Sequence, residues 1–170
     1  IWGRSFFGFL GIVLFFYAVG NAKQADVAML NRSAPVFVTL FAALILKEKL
    51  NFVKIGATLL CLSGAYVAMQ PSFDSNPLPL LCALCAAIVS GLAYTMLACC
   101  KKAVSSETIV LHFSALSTVL AGIMMVPYFH FPSLKNLFFL LMVGVFAAIG
   151  QFFLTFAYQV VPASEISIYQ

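Results

Sequence analysis

The sequence predicts an all-α integral membrane protein, a polytopic helical bundle with six complete transmembrane helices and the start of a seventh. Three observations carry that prediction. Of 170 residues, 64% are hydrophobic and 8% charged, against about 25% charged in an ordinary globular domain. So little polar surface cannot cover a fold in water. Six apolar runs have the length, about 20 residues, that a helix needs to cross a bilayer. Lysine and arginine gather on alternate joints between these runs.

The first run, 5–22, follows Trp2 and Arg4. Trp2 suits an interfacial anchor. The second, 25–46, opens on Asp26, carries Arg32 and Pro35, and ends at Lys47-Glu48-Lys49. The third covers 52–69 and the fourth 80–100. In the fourth, Ala83, Ala87, Gly91 and Thr95 repeat every four residues. That is a small-residue stripe on one helical face, which lets neighbouring helices approach closely. Gly8 and Gly11 in the first run, and Gly144 with Ala148 in the sixth, are expected to act likewise. The fifth run, 108–128, follows Glu107 and contains His112; the sixth, 137–157, has Gln151 as its one amide. A seventh starts near Ala163. Strands are excluded, because the runs are long and lack two-residue alternation. The joints are short, and Pro71, Pro77, Pro79, Pro132 and Pro162 lie in or beside them. None can hold a soluble domain.

Alternate joints carry Arg4, then Lys47, Lys49 and Lys54, then Lys101 and Lys102, while the opposite side has Lys23 and Lys135. Six against two places the start of the first span in the cytoplasm. The net charge of +4 is scattered, so no nucleic-acid partner is expected. Cys82-x-x-Cys85 has metal or redox spacing, but it lies in an apolar helix without a nearby His or acidic residue. Cys61, Cys82, Cys85, Cys99 and Cys100 are read as small packing residues, with lipidation open at Cys99-Cys100. No metal or other cofactor is expected. The chain begins at Ile1 and stops at Gln170 inside a new segment, as expected of a piece of a longer protein.

Sliding the chain by 139 residues sets Phe7 on Phe146, Gly11 on Gly150 and Ala18 on Ala157. Asp26 then meets Glu165, and Asn31 meets Gln170. The two copies lie five spans apart and so cross the membrane in opposite directions. Inverted repeats of this kind are typical of secondary transporters, with the substrate site between the halves.

The segment "ADVAMLNRSAPVF", the "LKEKL" joint, the "GATLLCLSGAY" span and Arg4 before a span together resemble the EamA-type domain of the drug/metabolite transporter superfamily. "VPASEISIYQ" resembles the matching start of the fourth helix of a second such domain. The resemblance implies a ten-helix inverted-repeat fold. Residues 1–70 would be helices three to five, the C-terminal part of the first repeat. Residues 78–170 would be helices six to eight and the start of nine, the N-terminal part of the second. It also implies a multi-pass protein of the bacterial inner (plasma) membrane that exports a small metabolite, amino acid or drug-like solute by alternating access. A small-molecule substrate and the lipid bilayer are the expected partners. Proton or ion coupling and a homodimer stay open. An intramembrane enzyme or a non-transporting scaffold subunit are the alternatives. The enzyme lacks an evident nucleophile–base pair, and no Gly-rich phosphate loop suggests direct ATP drive.

Candidate pathway residues are Tyr17, Asn31, Arg32, Pro35, Ser90, Tyr94, Gln151, Glu165 and Gln170. Arg32 either snorkels to the interface or faces the cavity and reads an anionic group. Pro35 can free a carbonyl and bend the helix. Ser90 and Tyr94 share a face at i, i+4, and each polar residue in these spans either lines the cavity or bonds a neighbouring helix. Asp26, Glu48 and Glu165 are candidates for coupling or gating. Asp26 and Glu165 equally suit helix N-termini, where the dipole favours acids, and Glu48 suits a salt-bridged helix end. His112 is read as a helix-to-helix hydrogen bond or a proton relay.

Overall fold

A computed structural model describes residues 1–48, 52–74, 76–100 and 103–169, without the side chain of Tyr128. Its helices are α1 (Trp2–Asn21), α2 (Gln24–Asn31), α3 (Ala34–Ile45), α4 (Phe52–Met69), α5 (Pro77–Cys99), α6 (Ser106–Met125), α7 (Leu134–Val160) and α8 (Ala163–Ile166). Short 3-10 turns follow α6 at Val126–Tyr128 and α8 at Ser167–Tyr169. Six segments are long and apolar enough to cross a bilayer, α2 and α3 together forming the second, Gln24–Ile45. The all-α polytopic architecture is therefore as the composition requires. The boundaries move by a few residues: the first span starts at Trp2, the fourth at Pro77 and the last runs on to Val160.

The second span is not one helix. Its backbone turns at Arg32 and Ser33, where Ser33 N–H donates to the Leu30 carbonyl at 3.1 Å instead of reaching a full helical turn back. Ser33 Oγ donates to the same carbonyl at 2.5 Å. Pro35 sits in the first turn of α3. It has no N–H to return to the carbonyl four residues earlier, that of Asn31. The residue order Asn-Arg-Ser-Ala-Pro thus ends one helix and starts the next.

α5 is the central helix, and it packs against α1, α2, α3, α7 and α8. Its small stripe explains why. Ala83, Ala87, Gly91 and Thr95 are all buried. A Cβ added at Gly91 would stand 2.7 Å from Phe37 Cβ and 3.1 Å from Val38 N. The second neighbour is main chain and cannot swing aside, so glycine sets the α3–α5 separation. Gly11 is buried in the same way against Ser90. The expectation for Gly144 and Ala148 is corrected: both are exposed, and a Cβ on Gly144 would meet nothing within 4 Å among the described residues. The outer part of α7 instead shows Phe139, Phe146 and Phe153 outward, a face that only a bilayer or further helices can cover.

Two clusters hold the ends of the bundle. At one end Val38, Ala42, Leu97, Ala98, Ile109, Tyr158 and Ala163 pack together. These come from the middle and end of α3, the closing turns of α5 and α7 and the opening turns of α6 and α8. At the other end Ala18, Val27 and Ala83 pack with Cys82, Phe15 and Leu30 around them. Cys82 is therefore a packing residue, and Cys85 is exposed. His112 makes the helix-to-helix bond: Ser5 Oγ and His112 Nδ1 are 2.8 Å apart, joining α1 to α6. Trp2 lies edge-on to the same imidazole, with centroids 4.7 Å apart.

Candidate functional site

Between the two packed ends lie two cavities that share Ser90 and Tyr94 of α5. The larger, about 560 Å³, is walled by Asn31, Arg32 and Pro35 at the helix break, by Phe15 of α1, and by Gly150 and Leu154 of α7. The break puts it there. Where a helix stops and restarts, main-chain groups and polar side chains can face a cavity at membrane depth. The second, about 430 Å³, is walled by Arg4, Gly8 and Ile12 of α1, by Phe113, Ser114, Ser117 and Thr118 of α6, and by Gln151 of α7. Gln151 Nε2 donates weakly to Thr155 Oγ1, one turn on, at 3.4 Å.

Asn31, Arg32, Pro35, Ser90, Tyr94 and Gln151 are thus brought together around adjoining cavities. Arg32 is exposed at the break, while Pro35 is buried. Tyr17 faces outward and lines neither cavity; its carbonyl accepts from Asn21 Nδ2 at 2.8 Å. Gln170 lies outside the described residues.

The three acidic candidates fasten joints. Asp26 is fully buried, and its Oδ1 accepts from the main-chain N–H groups of Ser72 at 2.8 Å and Phe73 at 3.2 Å. It ties the start of α2 to the chain leaving α4. Lys23 and Asp74 pair across the same joint at 2.6 Å. Asp74 is exposed, and its carboxyl is drawn down to about 2, first by the Lys23 hydrogen bond and then by Ser72. The pair's contribution is therefore present above the ordinary carboxylate range and disappears as pH falls through about 2.

At the opposite end Glu48 accepts from Ala163 N–H at 3.0 Å, Ser164 N–H at 3.3 Å and Ser164 Oγ at 2.6 Å. The joint between α3 and α4 is thereby latched to the first turn of α8. The negative charge also meets the positive end of that turn. Lys54 of α4 pairs with Glu165 at 3.0 Å and donates to Ser164 Oγ at 3.1 Å. Glu165 is thus in the latch and in neither cavity wall. Beneath the latch, Tyr94 and Tyr158 stack with centroids 5.2 Å apart and planes 8° apart. Tyr158 is fully buried in the packed end, while Tyr94 lines both cavities. The latch ties the two halves of the chain together at this end, and the stack packs beneath it.

Arg4 corrects the charge reading. It does not stand before the span but in the first turn of α1, turned inward and 3% exposed. Its guanidinium carbon lies 4.4 Å from the Phe113 ring centre and 5.5 Å from that of Tyr94. The signal was in the sequence. Arg4, Gly8 and Gly11 fall at i, i+4 and i+7, so an inward glycine face carries the arginine inward with it. Ser114, Ser117 and Thr118 were legible by the same spacing as one polar face of an apolar helix.

Residues 2–70 match the sequence profile of the EamA-like transporter family. Among curated proteins, a Helicobacter pylori protein named as an uncharacterized transporter is 25% identical over 96% of this chain and 58% of its own length. The pseudopaline exporter CntI of Pseudomonas aeruginosa is 29% identical over 97% of this chain and 59% of its own. Mouse solute carrier family 35 member G1 is 33% identical over 41% of this chain and 19% of its own. The chain therefore spans somewhat more than half the length of the bacterial relatives it matches. No solved structure matches it. The chain is thus similar over nearly its whole length to bacterial proteins named as transporters, its residues 2–70 carry the EamA-like profile, and its six apolar helices make it a multi-pass integral membrane protein.

Proposed function

We propose that this chain forms the solute pathway of a secondary transporter that exports a small metabolite, amino acid or drug-like solute by alternating access. The observation that carries the reading is the pair of adjoining cavities, the larger at the α2–α3 break, with a latch between the two halves of the chain at one end. In this reading residues 1–70 are helices three to five, and residues 78–170 helices six to nine, of a ten-helix inverted-repeat bundle in a bacterial inner membrane. Asn31, Ser90, Tyr94 and Gln151 offer polar groups to the solute. Arg32 sits at the rim of the larger cavity, where a cation attracts an anionic group. The Glu48 latch and the Tyr94–Tyr158 stack form the gate at the end carrying Lys47 and Lys54, which the lysine and arginine asymmetry places in the cytoplasm. Glu165 belongs to that gate through Lys54. Opening would need the Glu48 bonds to α8 to exchange for water while the opposite joint, fastened by Asp26, stays shut.

The test is uptake of a metabolite panel by everted membrane vesicles from cells expressing the protein from its complete gene. At least one small solute should accumulate in these vesicles above the level in vesicles without the protein. Equal solute content across the panel would remove the transport reading.

A further inference from the structure

We infer that Arg4 is the anchor of a carboxylate-binding subsite in the cavity between α1, α5, α6 and α7. The inference rests on the transport reading above and narrows its solute to one carrying a carboxylate.

The starting point is a charge that the described protein does not neutralise. Arginine stays protonated in a protein and offers five N–H donors in a planar fork. Arg4 is 3% exposed, and no described carboxylate pairs with it. Its Nε, buried, has no hydrogen-bond partner among the described residues. The ring faces of Phe113 and Tyr94, 4.4 and 5.5 Å away, replace part of its lost hydration but accept no hydrogen bond in the plane of the fork. The side chain lines a cavity of about 430 Å³. On the same wall Ser117 Oγ is also buried and also without a partner. Two orphaned polar groups on one cavity, one of them cationic, call for an acceptor-rich guest of negative charge.

The backbone makes room for this placement. A Cβ on Gly8 would collide with Arg4 Nη1 and lie 2.9 Å from Phe113 Cε2. Glycine one turn along α1 therefore gives the guanidinium its berth. The balance of charge selects the guest. Among the described residues Arg4 is the one basic residue on this wall, so a single carboxylate neutralises it, whereas a phosphate dianion would bring a second charge with no second described cation. A carboxylate also matches the fork with two parallel hydrogen bonds, leaving Ser117, Ser90 and Gln151 to hold the rest of the solute.

A structural role for Arg4 makes the opposite prediction about stability. If it serves only to pack α1 against α5 and α6, a methionine in its place loses the cation–π contacts and the protein melts lower. If it is held for a guest, the unpaired buried charge is a burden, and Arg4→Met melts higher in anion-poor buffer.

The experiment melts the purified protein, expressed from its complete gene and held in nanodiscs, with sodium butyrate, sodium glutamate, butyramide or inorganic phosphate. At least one carboxylate should raise the midpoint, butyramide should not, and phosphate should act more weakly. The half-effective carboxylate concentration should rise about tenfold or more in Arg4→Lys, which loses one of two charge-assisted bonds. The response should vanish in Arg4→Gln and persist in Lys135→Gln, a change at an exposed residue. Gly8→Ala should weaken it with the charge retained. Absence of any carboxylate response, a response that survives Arg4→Gln, a phosphate response equal to or above the carboxylate one, or a lower midpoint for Arg4→Met would overturn the assignment. Vesicle uptake separates the two readings. Accumulation of an uncharged solute without carboxylate binding removes the subsite and leaves transport standing. Carboxylate binding without accumulation of any solute does the reverse.

Discussion

Replacing Glu48 with alanine is expected to release α8 from the α3–α4 joint and destabilise the closed structure by about 1.5–3 kcal/mol, the range for hydrogen bonds to a charged group. Glu48 gathers three donors, two of them main-chain N–H groups at the first turn of a four-residue helix. Alanine leaves those donors without their acceptor and removes the charge that faces them. Lys54 would still hold Glu165 and Ser164, so the end should loosen rather than unfold. Glu48→Gln keeps an acceptor oxygen and should lie between. The natural Cys100, partly buried against the packed end, reports the change. With the other cysteines replaced by alanine, its labelling by a maleimide should speed up about ten- to a hundred-fold in Glu48→Ala, the ratio that corresponds to that energy. Wild-type labelling together with a wild-type melting curve would contradict the latch.

Asp26→Ala should be as damaging at the other end. Asp26 is fully buried, and two main-chain donors of the chain leaving α4 converge on its Oδ1. Asp26 is the buried member of these bonds, while Ser72 and Phe73 are exposed, so the loss expected in chemical unfolding is that of hydrogen bonds to a charged group, about 1.5–3 kcal/mol. Asp26→Asn retains one acceptor oxygen and should lose less. The same pair of variants separates fastening from proton coupling. A coupling carboxylate replaced by its amide would abolish the pH dependence of flux while the melting point held. The geometry supports the other order, with stability lost in Asp26→Ala and pH-dependent flux retained in Asp26→Asn.

Much of the bundle could be read from particular residues. The Ala83–Thr95 stripe marked a helix that others approach closely, because small side chains repeated every four residues have one evident use in lipid; that this helix is the central one follows from the packing. Asn31 to Pro35 marked the break, because proline withholds a donor at a fixed distance. Gly144 and Ala148 misled for the same reason that the stripe succeeded. Spacing shows that a face is small, and only the surrounding helices decide whether anything packs on it. Asp26, Glu48 and Glu165 were recognisable as acids at helix ends. Their partners were not, since Ser72, Phe73, Ala163 and Ser164 act largely through main-chain N–H groups, which carry no sequence signature. Arg4 was miscounted as a joint residue. Burial of a terminal charge depends on rings brought from α5 and α6, about 90 and 110 residues away along the chain.

In the proposed alternating-access cycle the latch opens at every turn, and a reversible lock tests this most directly. Cysteines at positions 48 and 164, in a background otherwise free of cysteine, would be oxidised to a disulfide in vesicles that carry the protein. Solute movement should stop on oxidation and return on reduction, while the single-cysteine variants continue under both conditions. Undiminished flux with the bond shown to be formed would contradict a pathway gated between the two halves of this chain.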